Sequence, residues 1–392
     1  MKALVKKHFL SLHAILLVAG ILATPFLGLI APRQIMTVVA VGGGLSLIGF
    51  LLRFFPMLYV HRPPIIFCAL FILWAVGATL LSGADPYAVK TIIKSAVLCL
   101  AGFLFIFGVS CLDDRSKTFM KRYLPGSFLV ALLAFAFENM LDQPLFRFFR
   151  DMAPDAAVAA SESNRAAVVL AIFLWPVLCL LRQNNRRYSV LALFLATALV
   201  IGLTSQSQSS LLGILFSGIA FALIKFKPQK VPLLIMGAIA ACFLFSPLIA
   251  HPLSNAKPSA LMQWRDAAVD QRLTIWQATS EHIFEKPVTG WGVAATRTSA
   301  KDIVDDLGKY KKWGTVFHPH NMALEVWLDT GLIGVILMTG FLWAVFNRIS
   351  SDAFALSQFV AIVSIAVVGY GMWQSWWIGL LFIASAFKRD TA

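Results

Sequence analysis

The sequence predicts an all-α polytopic membrane protein, and three observations carry that prediction. Of 392 residues, 59% are hydrophobic and only 13% charged, whereas a soluble domain carries about 25% charged and 45–50% apolar residues. The apolar residues gather into about twelve runs, each near the ~20 residues that cross a bilayer as a helix. Lys and Arg fall unequally on the two sides that those runs define. A chain this apolar is neither disordered nor a water-soluble globule. The net charge of +14 does not point to nucleic acid, because no soluble basic domain is present to carry it.

The runs lie at 9–30, 34–55, 64–82, 92–112, 122–141, 165–182, 188–204, 209–225, 231–249, 320–346, 353–370 and 371–387. The first follows Lys2, Lys6 and Lys7 and looks like a signal sequence. It is too long and lacks a small-x-small cleavage site, so it reads as a retained first helix. The pair at 188–225 is joined through the polar stretch Thr204 to Ser210, and the last two share a very short turn. Three regions follow: helices one to nine over 1–249, a large outer loop over 250–319, and helices ten to twelve over 320–392. With the N-terminus in the cytoplasm, eighteen Lys and Arg occupy inner connections against six in the short outer ones. Basic residues mark the cytoplasmic side. The expectation is a multi-pass membrane protein with both termini cytoplasmic, in contact with membrane lipids.

Two outer segments, 142–164 and 250–319, are longer than the ~12–15 residues of an ordinary connection. In the second, Ser259 to Phe284 reads as an amphipathic helix presenting Leu261, Trp264, Val269, Leu273, Trp276 and Ile283. Pro287, Gly290 and Gly292 end it. Lys301 to Lys312 is a second, charged helical candidate. Cys68, Cys99, Cys111, Cys179 and Cys242 lie in or at the end of apolar runs, with no CxxC pair and no metal-ligand spacing.

The inner connections hold no phosphate-binding loop and no nucleotide fold, so chemistry is expected on the outer face. A substrate there arrives already activated, on a lipid carrier. His318-Pro319-His320-Asn321 sits where the long loop enters the tenth run. An imidazole titrates near pH 6.5 and can take or give a proton; the bland alternative is two interfacial histidines beside a helix cap at Asn321 or His320. A metal site at His318 and His320 lacks a third ligand at recognisable spacing. Arg265 and Arg272 are seven apart, two helical turns, and so share a face, flanked by Trp264 and Trp276. An arginine fork matches phosphate oxygens bidentately, but a surface ion pair with Asp266, Asp270 or Glu281 fits equally. Arg165 opens the sixth run after Ser161-Glu162-Ser163-Asn164. It either snorkels to the interface or adds a fixed charge beside a helix N-terminus that favours anions. Gln208 lies in the stretch from Thr204 to Ser210, whose polar groups either line a cavity or bond to neighbouring helices.

Three of these motifs, in order, resemble a known family. His320-Asn321, nine residues, then Gly331-Leu332-Ile333-Gly334 is similar to the histidine signature of bacterial O-antigen ligases and related lipid-linked glycan polymerases. Arg272-Leu273-x-x-Trp276 followed by Pro287-x-x-Gly290-Trp291-Gly292 resembles the arginine half of that family's large periplasmic loop. Asn164-Arg165 followed by two alanines resembles a third family position. The match covers about 160–345. The resemblance implies a GT-C-like membrane glycosyltransferase. It would move a polysaccharide from undecaprenyl pyrophosphate onto a sugar hydroxyl of lipid A–core, without metal or cofactor. It implies that Arg165 and Arg272 hold the pyrophosphate and that His320 activates the acceptor, with Arg265, His318, Asn321, Trp276 and Gln208 as further substrate-binding candidates. Many relatives carry Ser-Arg-Gly where this chain has Ser207-Gln208-Ser209. That arginine is either missing from the binding set or replaced by Arg265 or Arg297. Two alternatives stand beside the ligase: a Wzy-type polymerase with the same motifs, and a flippase or transporter, which needs central charges and internal repeats.

Overall fold

The computed structural model describes residues 2–55, 62–153, 158, 160–255, 267–298 and 318–387, and every described element is helical. The helices are α1 (Lys2–Ile30), α2 (Ile35–Leu51), α3 (Arg62–Leu81), α4 (Pro86–Ser110), α5 (Asp114–Met140) and α6 (Pro144–Phe149). They continue with α7 (Ala160–Gln183), α8 (Arg187–Thr204), α9 (Gln208–Phe226), α10 (Val231–Leu244) and α11 (Ser246–Asn255). The last are α12 (Ala267–Glu285), α13 (Ala295–Thr298), α14 (Met322–Ile349), α15 (Ala353–Gly369) and α16 (Ser375–Ser385). The second helical candidate, Lys301 to Lys312, lies outside the described residues, as do Arg265, Trp264 and the expected start of the amphipathic helix. Helix α12 ends two residues before Pro287, where the turn residues place its stop.

The protein is a multi-pass helical membrane protein, but the expectation of twelve spans holds only in part. Among the described residues nine helices are long and apolar enough to cross a membrane, or ten if α10 and α11 form one broken span. That pair bends by 68° at Phe245, so the ninth run is not one straight helix. Trp327 of α14 donates to the Phe243 carbonyl beside the bend at 2.7 Å. The last two runs form helices of 17 and 11 residues. At 1.5 Å per residue they reach about 25 and 16 Å, short of the ~30 Å hydrocarbon core.

Side-chain patterning assigns each helix its place. Helix α7 is apolar on all sides, and Ala166 through Trp175 are each at most 2% exposed, so it is the axis around which the others pack. Helix α8 exposes Leu191, Leu195, Leu199 and Leu203 at four-residue spacing, the single face of a lipid-facing helix. Small residues set the closest approaches. Gly43 of α2 lies against the backbone of Ala101 on α4, and Gly213 of α9 against Ile365 on α15.

Helix α14 is broken at Gly331 (φ 60°, ψ −166°), a conformation essentially open only to glycine. The break frees backbone groups, and the segment after α12 takes them up. Leu332 N–H donates to the Pro287 carbonyl at 2.8 Å. Trp291 N–H donates to Leu328 O at 2.8 Å, and Gly292 N–H to Asp329 O at 2.9 Å. Gly290 (φ +71°) allows the approach: a Cβ there would sit 2.6 Å from the Asp329 carbonyl carbon. Buried Asp329 then accepts from Ala294 N–H at 3.0 Å, Ala295 N–H at 3.1 Å and the Trp373 indole at 2.7 Å. Helix α3 closes the junction through Trp74 N–H to Thr330 O at 2.8 Å and Val293 N–H to Thr79 Oγ1 at 3.0 Å.

Two stability predictions follow from this junction. Gly331→Ala is expected to cost about 1–3 kcal/mol from backbone strain, with a further cost from a Cβ 2.3 Å from the Val288 oxygen. The thermal unfolding midpoint in detergent should fall. Gly44→Ala, where a Cβ meets nothing within 4 Å, should leave that midpoint in place. Asp329→Ala strands three buried donors, at about 1–3 kcal/mol each. It should destabilise more than Asp329→Asn, which keeps a carbonyl acceptor; equal midpoints for the two variants would refute the clamp.

Candidate functional site: a histidine turn among arginines

The site forms where the starts of α7, α9, α14 and α16 meet the first half of α12 and the end of α15. His318, Pro319 and His320 lead into α14, and Asn321 caps that helix by accepting from Leu324 N–H at 3.1 Å. Asn321 is buried and committed to the cap. His320 has φ +53°, a left-handed conformation that is costly for a residue with a Cβ. The turn around it is held from several sides. His320 N–H donates to His318 Nδ1 at 3.1 Å, and the two rings lie 4.2 Å apart. The Trp276 indole donates to the Pro319 carbonyl at 2.9 Å. His318 Nε2 lies 2.8 Å from the Gln374 side-chain amide.

The proton on His320 can be placed by elimination. Its Nδ1 faces the Gly369 carbonyl at 3.4 Å. A carbonyl only accepts, so Nδ1 carries the hydrogen and Nε2 keeps the lone pair. Burial pushes the His320 pKa down, the charge of Arg272 adds to this, and the Gly369 bond opposes it. Burial likewise drives His318 down to about 3, helped by the charges of His320, Arg297 and Arg165. Both rings are therefore neutral near pH 7.

The arginines converge on this turn. Trp276 is one helical turn beyond Arg272 on α12, so anchoring its indole to Pro319 also fixes Arg272 beside His320. Arg165, in the first turns of α7, pairs with Glu162 and lies 5.9 Å from the centre of the Trp376 ring. Arg165 and Arg272 both act electrostatically on Tyr370, whose ring stacks on Trp377 at 5.4 Å. Glu162 Oε2 and Asn164 Oδ1 are buried beside Arg165 without a hydrogen-bond partner among the described residues; such orphaned acceptors call for an explanation. Gln208 opens α9 and is half-buried. Its neighbour Ser209 packs against Gly369, whose carbonyl faces His320. The hydroxyls of this stretch are satisfied locally, Ser207 Oγ lying 2.7 Å from Ser210 Oγ. Among the described residues no third His, Cys, Asp or Glu stands where it would complete a metal site with the two histidines.

Sequence reasoning missed several residues here. Glu325 and Asp329 are four apart in an apolar helix, and Glu325 accepts from Met372 N–H. Two carboxylates within a span are a signal of function or structure. Lys90 and Lys94 had been counted only as topology markers, yet with Arg297 they line a cavity beside His318. Gln374 and Trp373 sit in a five-residue turn too short to show a pattern.

Residues 192–339 match the family Wzy_C, described as O-Antigen ligase; that range contains α12, the histidine turn and the break in α14 at Gly331. A protein of Rickettsia conorii named "Putative polysaccharide ligase" is 28% identical over 275 residues, 67% of this chain and 65% of the relative. Proteins of the same name from Rickettsia felis and Rickettsia bellii are 26% and 29% identical. They cover 79% and 68% of this chain, and 76% and 65% of their own lengths. The match thus spans slightly less than two-thirds of the Rickettsia conorii and Rickettsia bellii relatives. By these matches, the chain is similar to the Wzy_C family of O-antigen ligases and to the polysaccharide ligases so named.

Proposed function

We propose that this protein is a metal-independent membrane glycosyltransferase that works on the periplasmic face of the bacterial inner membrane. It moves a polysaccharide from undecaprenyl pyrophosphate to a sugar hydroxyl of lipid A–core. The observation that carries this reading is the neutral His320, with its Nε2 lone pair unblocked by Gly369 and Arg272 beside it. In the reaction the acceptor oxygen attacks the anomeric carbon while that carbon's bond to the pyrophosphate oxygen breaks. His320 Nε2 takes the hydroxyl proton. The electron pair leaves on the pyrophosphate, where Arg165 and Arg272 stabilise the growing charge. In-line attack inverts the anomeric centre. His318 supports the turn from behind, and Trp276 positions Arg272. Arg265, seven residues before Arg272 in sequence, is a further candidate for the pyrophosphate, and Gln208 for the glycan. The architecture would be a variant of the GT-C plan.

The test is lipopolysaccharide analysis in cells that carry only a variant protein. His320→Ala should lower transfer by about 10²–10⁴-fold and Arg272→Ala by about 10²–10³-fold, both with normal expression. Arg165→Ala should weaken transfer strongly, and His318→Ala less. A normal polymer ladder from His320→Ala cells would remove the base. Core-only lipid beside accumulated carrier-linked polymer in a deletion strain identifies a ligase. Core bearing one repeat identifies a polymerase instead.

The pH profile of purified protein is a second check. Because the His320 pKa is depressed, the ring stays neutral below the ~6.5 of a free imidazole. The rate should hold as pH falls through 6.5 and decline only at lower pH. A decline centred at or above pH 6.5 would contradict a buried base next to Arg272. Transfer should also continue in EDTA; loss restored by one added metal would contradict the metal-free reading.

A further inference from the structure

Arg272 bears on His320, but a second set of cations stands beside His318. A cavity of about 200 Å³ opens there, lined by Lys90, Lys94 and Arg297 together with Glu325 and Gln374. The transfer chemistry above uses none of these three cations. Lys90 and Lys94 are one turn apart on α4, and neither has a carboxylate partner among the described residues. Arg297 is held at the rim by donating to the Tyr87 hydroxyl at 2.7 Å, its guanidinium 5.3 Å from the centre of that ring. Glu325 is already occupied by Met372 N–H. Arg297 also acts electrostatically on Glu325, so the two lysines are the charges left to attract an anion into the recess.

The size and surroundings narrow the ligand. About 200 Å³ is less than the ~300–1,000 Å³ that engulfs a drug-sized molecule. The cavity therefore takes one part of a larger ligand, a phosphate and the ring that bears it. Lys90 and Lys94 also border an exposed apolar face of α4 formed by Pro86, Val89 and Ile93. The exposed stripe continues along α4 through Val97 and Leu100, toward the bilayer interior. A phosphate in the cavity and hydrocarbon on α4 describe a phosphorylated lipid. Two such lipids meet in the transfer. Arg272 takes the donor's pyrophosphate beside His320, whereas the cavity lies beside His318, so the acceptor is assigned to the His318 side.

We infer that the cavity of Lys90, Lys94 and Arg297 binds a phosphate group on the acceptor glycolipid, whose acyl chains run along Val89 and Ile93 of α4. This assignment rests on the transferase reading above and adds a substrate requirement to it: the acceptor is recognised through its phosphate as well as its hydroxyl.

The experiment places the full chain in nanodiscs of zwitterionic lipid and measures binding of three probes. These are a bisphosphorylated acylated glucosamine disaccharide, its dephosphorylated counterpart, and undecaprenyl pyrophosphate. The phosphorylated glycolipid should bind about tenfold or more tightly than the dephosphorylated one. The double variant Lys90→Ala/Lys94→Ala should erase that difference, and Lys90→Arg/Lys94→Arg should restore it. Undecaprenyl pyrophosphate binding should be insensitive to the lysines and sensitive to Arg272→Ala. Equal affinity for the two glycolipids overturns the proposal. So does a lysine variant that loses undecaprenyl pyrophosphate and keeps the phosphorylated glycolipid, which would make the cavity the donor's. If wild-type protein transfers no glycan yet binds the phosphorylated lipid through the lysines, the transferase reading falls and the phosphate subsite stands. Transfer with no preference for phosphate overturns the subsite alone.

Discussion

Everything at the site end of the bundle depends on one exchange of backbone hydrogen bonds. Helix α14 gives up its own pairing at Gly331, and the segment 287–292 supplies the replacement. Inside a membrane protein a backbone group without a partner costs several kcal/mol, so broken helices persist only where another part of the protein re-satisfies them. Here Pro287, Trp291 and Gly292 do so, and Asp329 extends the repair to the amides of Ala294 and Ala295 just beyond. The end of α12, the start of α13 and the upper half of α14 thereby become one rigid piece.

That piece sets the positions of the reactive groups. Asn321 caps α14 ten residues before the break, and the His318–His320 turn hangs from the capped end. Trp276 reaches back from α12 to the Pro319 carbonyl, closing a loop through Arg272, the histidine turn, α14 and the 287–292 segment. The left-handed His320 is tolerated because surrounding bonds over-determine it: His318, Gly369 and the cap each hold a different atom of the turn. Helices α15 and α16 enter through their connecting turn, where Gly369, Met372, Trp373 and Gln374 all meet α14 or its leading residues.

Much of this was legible in the sequence because membrane folding is governed by a few strong signals. Apolar runs located the helices, since length and hydropathy are read directly from composition. Run length did not reveal that the ninth is bent or that the last two are short. Bends and short helices are allowed by neighbours such as Trp327 and Gln358, which no local window contains. The glycines of the two motifs were visible as motif positions, yet their reason is mutual. Gly290 and Gly331 are 41 residues apart in sequence and matter because their backbones touch. His320, Arg272 and Arg165 stood out as chemistry-bearing residues at the ends of runs. Lys90 and Lys94 did not, because a lysine near a helix start looks like a topology marker; Glu325 and Asp329, one turn apart in an apolar run, carry a signal whose partners lie outside any local window. Only convergence around a recess gives the lysines meaning.

The brevity of α16 bears on how the chain enters the membrane during synthesis. A helix of 11 residues is too short to partition stably on its own. It is tied to its predecessor by Gln358 of α15, whose amide donates to the Ala384 carbonyl at 3.2 Å and toward Ile172 of the central helix at 3.5 Å. Insertion of α15 and α16 is therefore a joint event, a helical hairpin delivered against a bundle already assembled around α7. The turn of that hairpin carries Gly369 and Gln374, so the candidate site is complete only once α15 and α16 are in place.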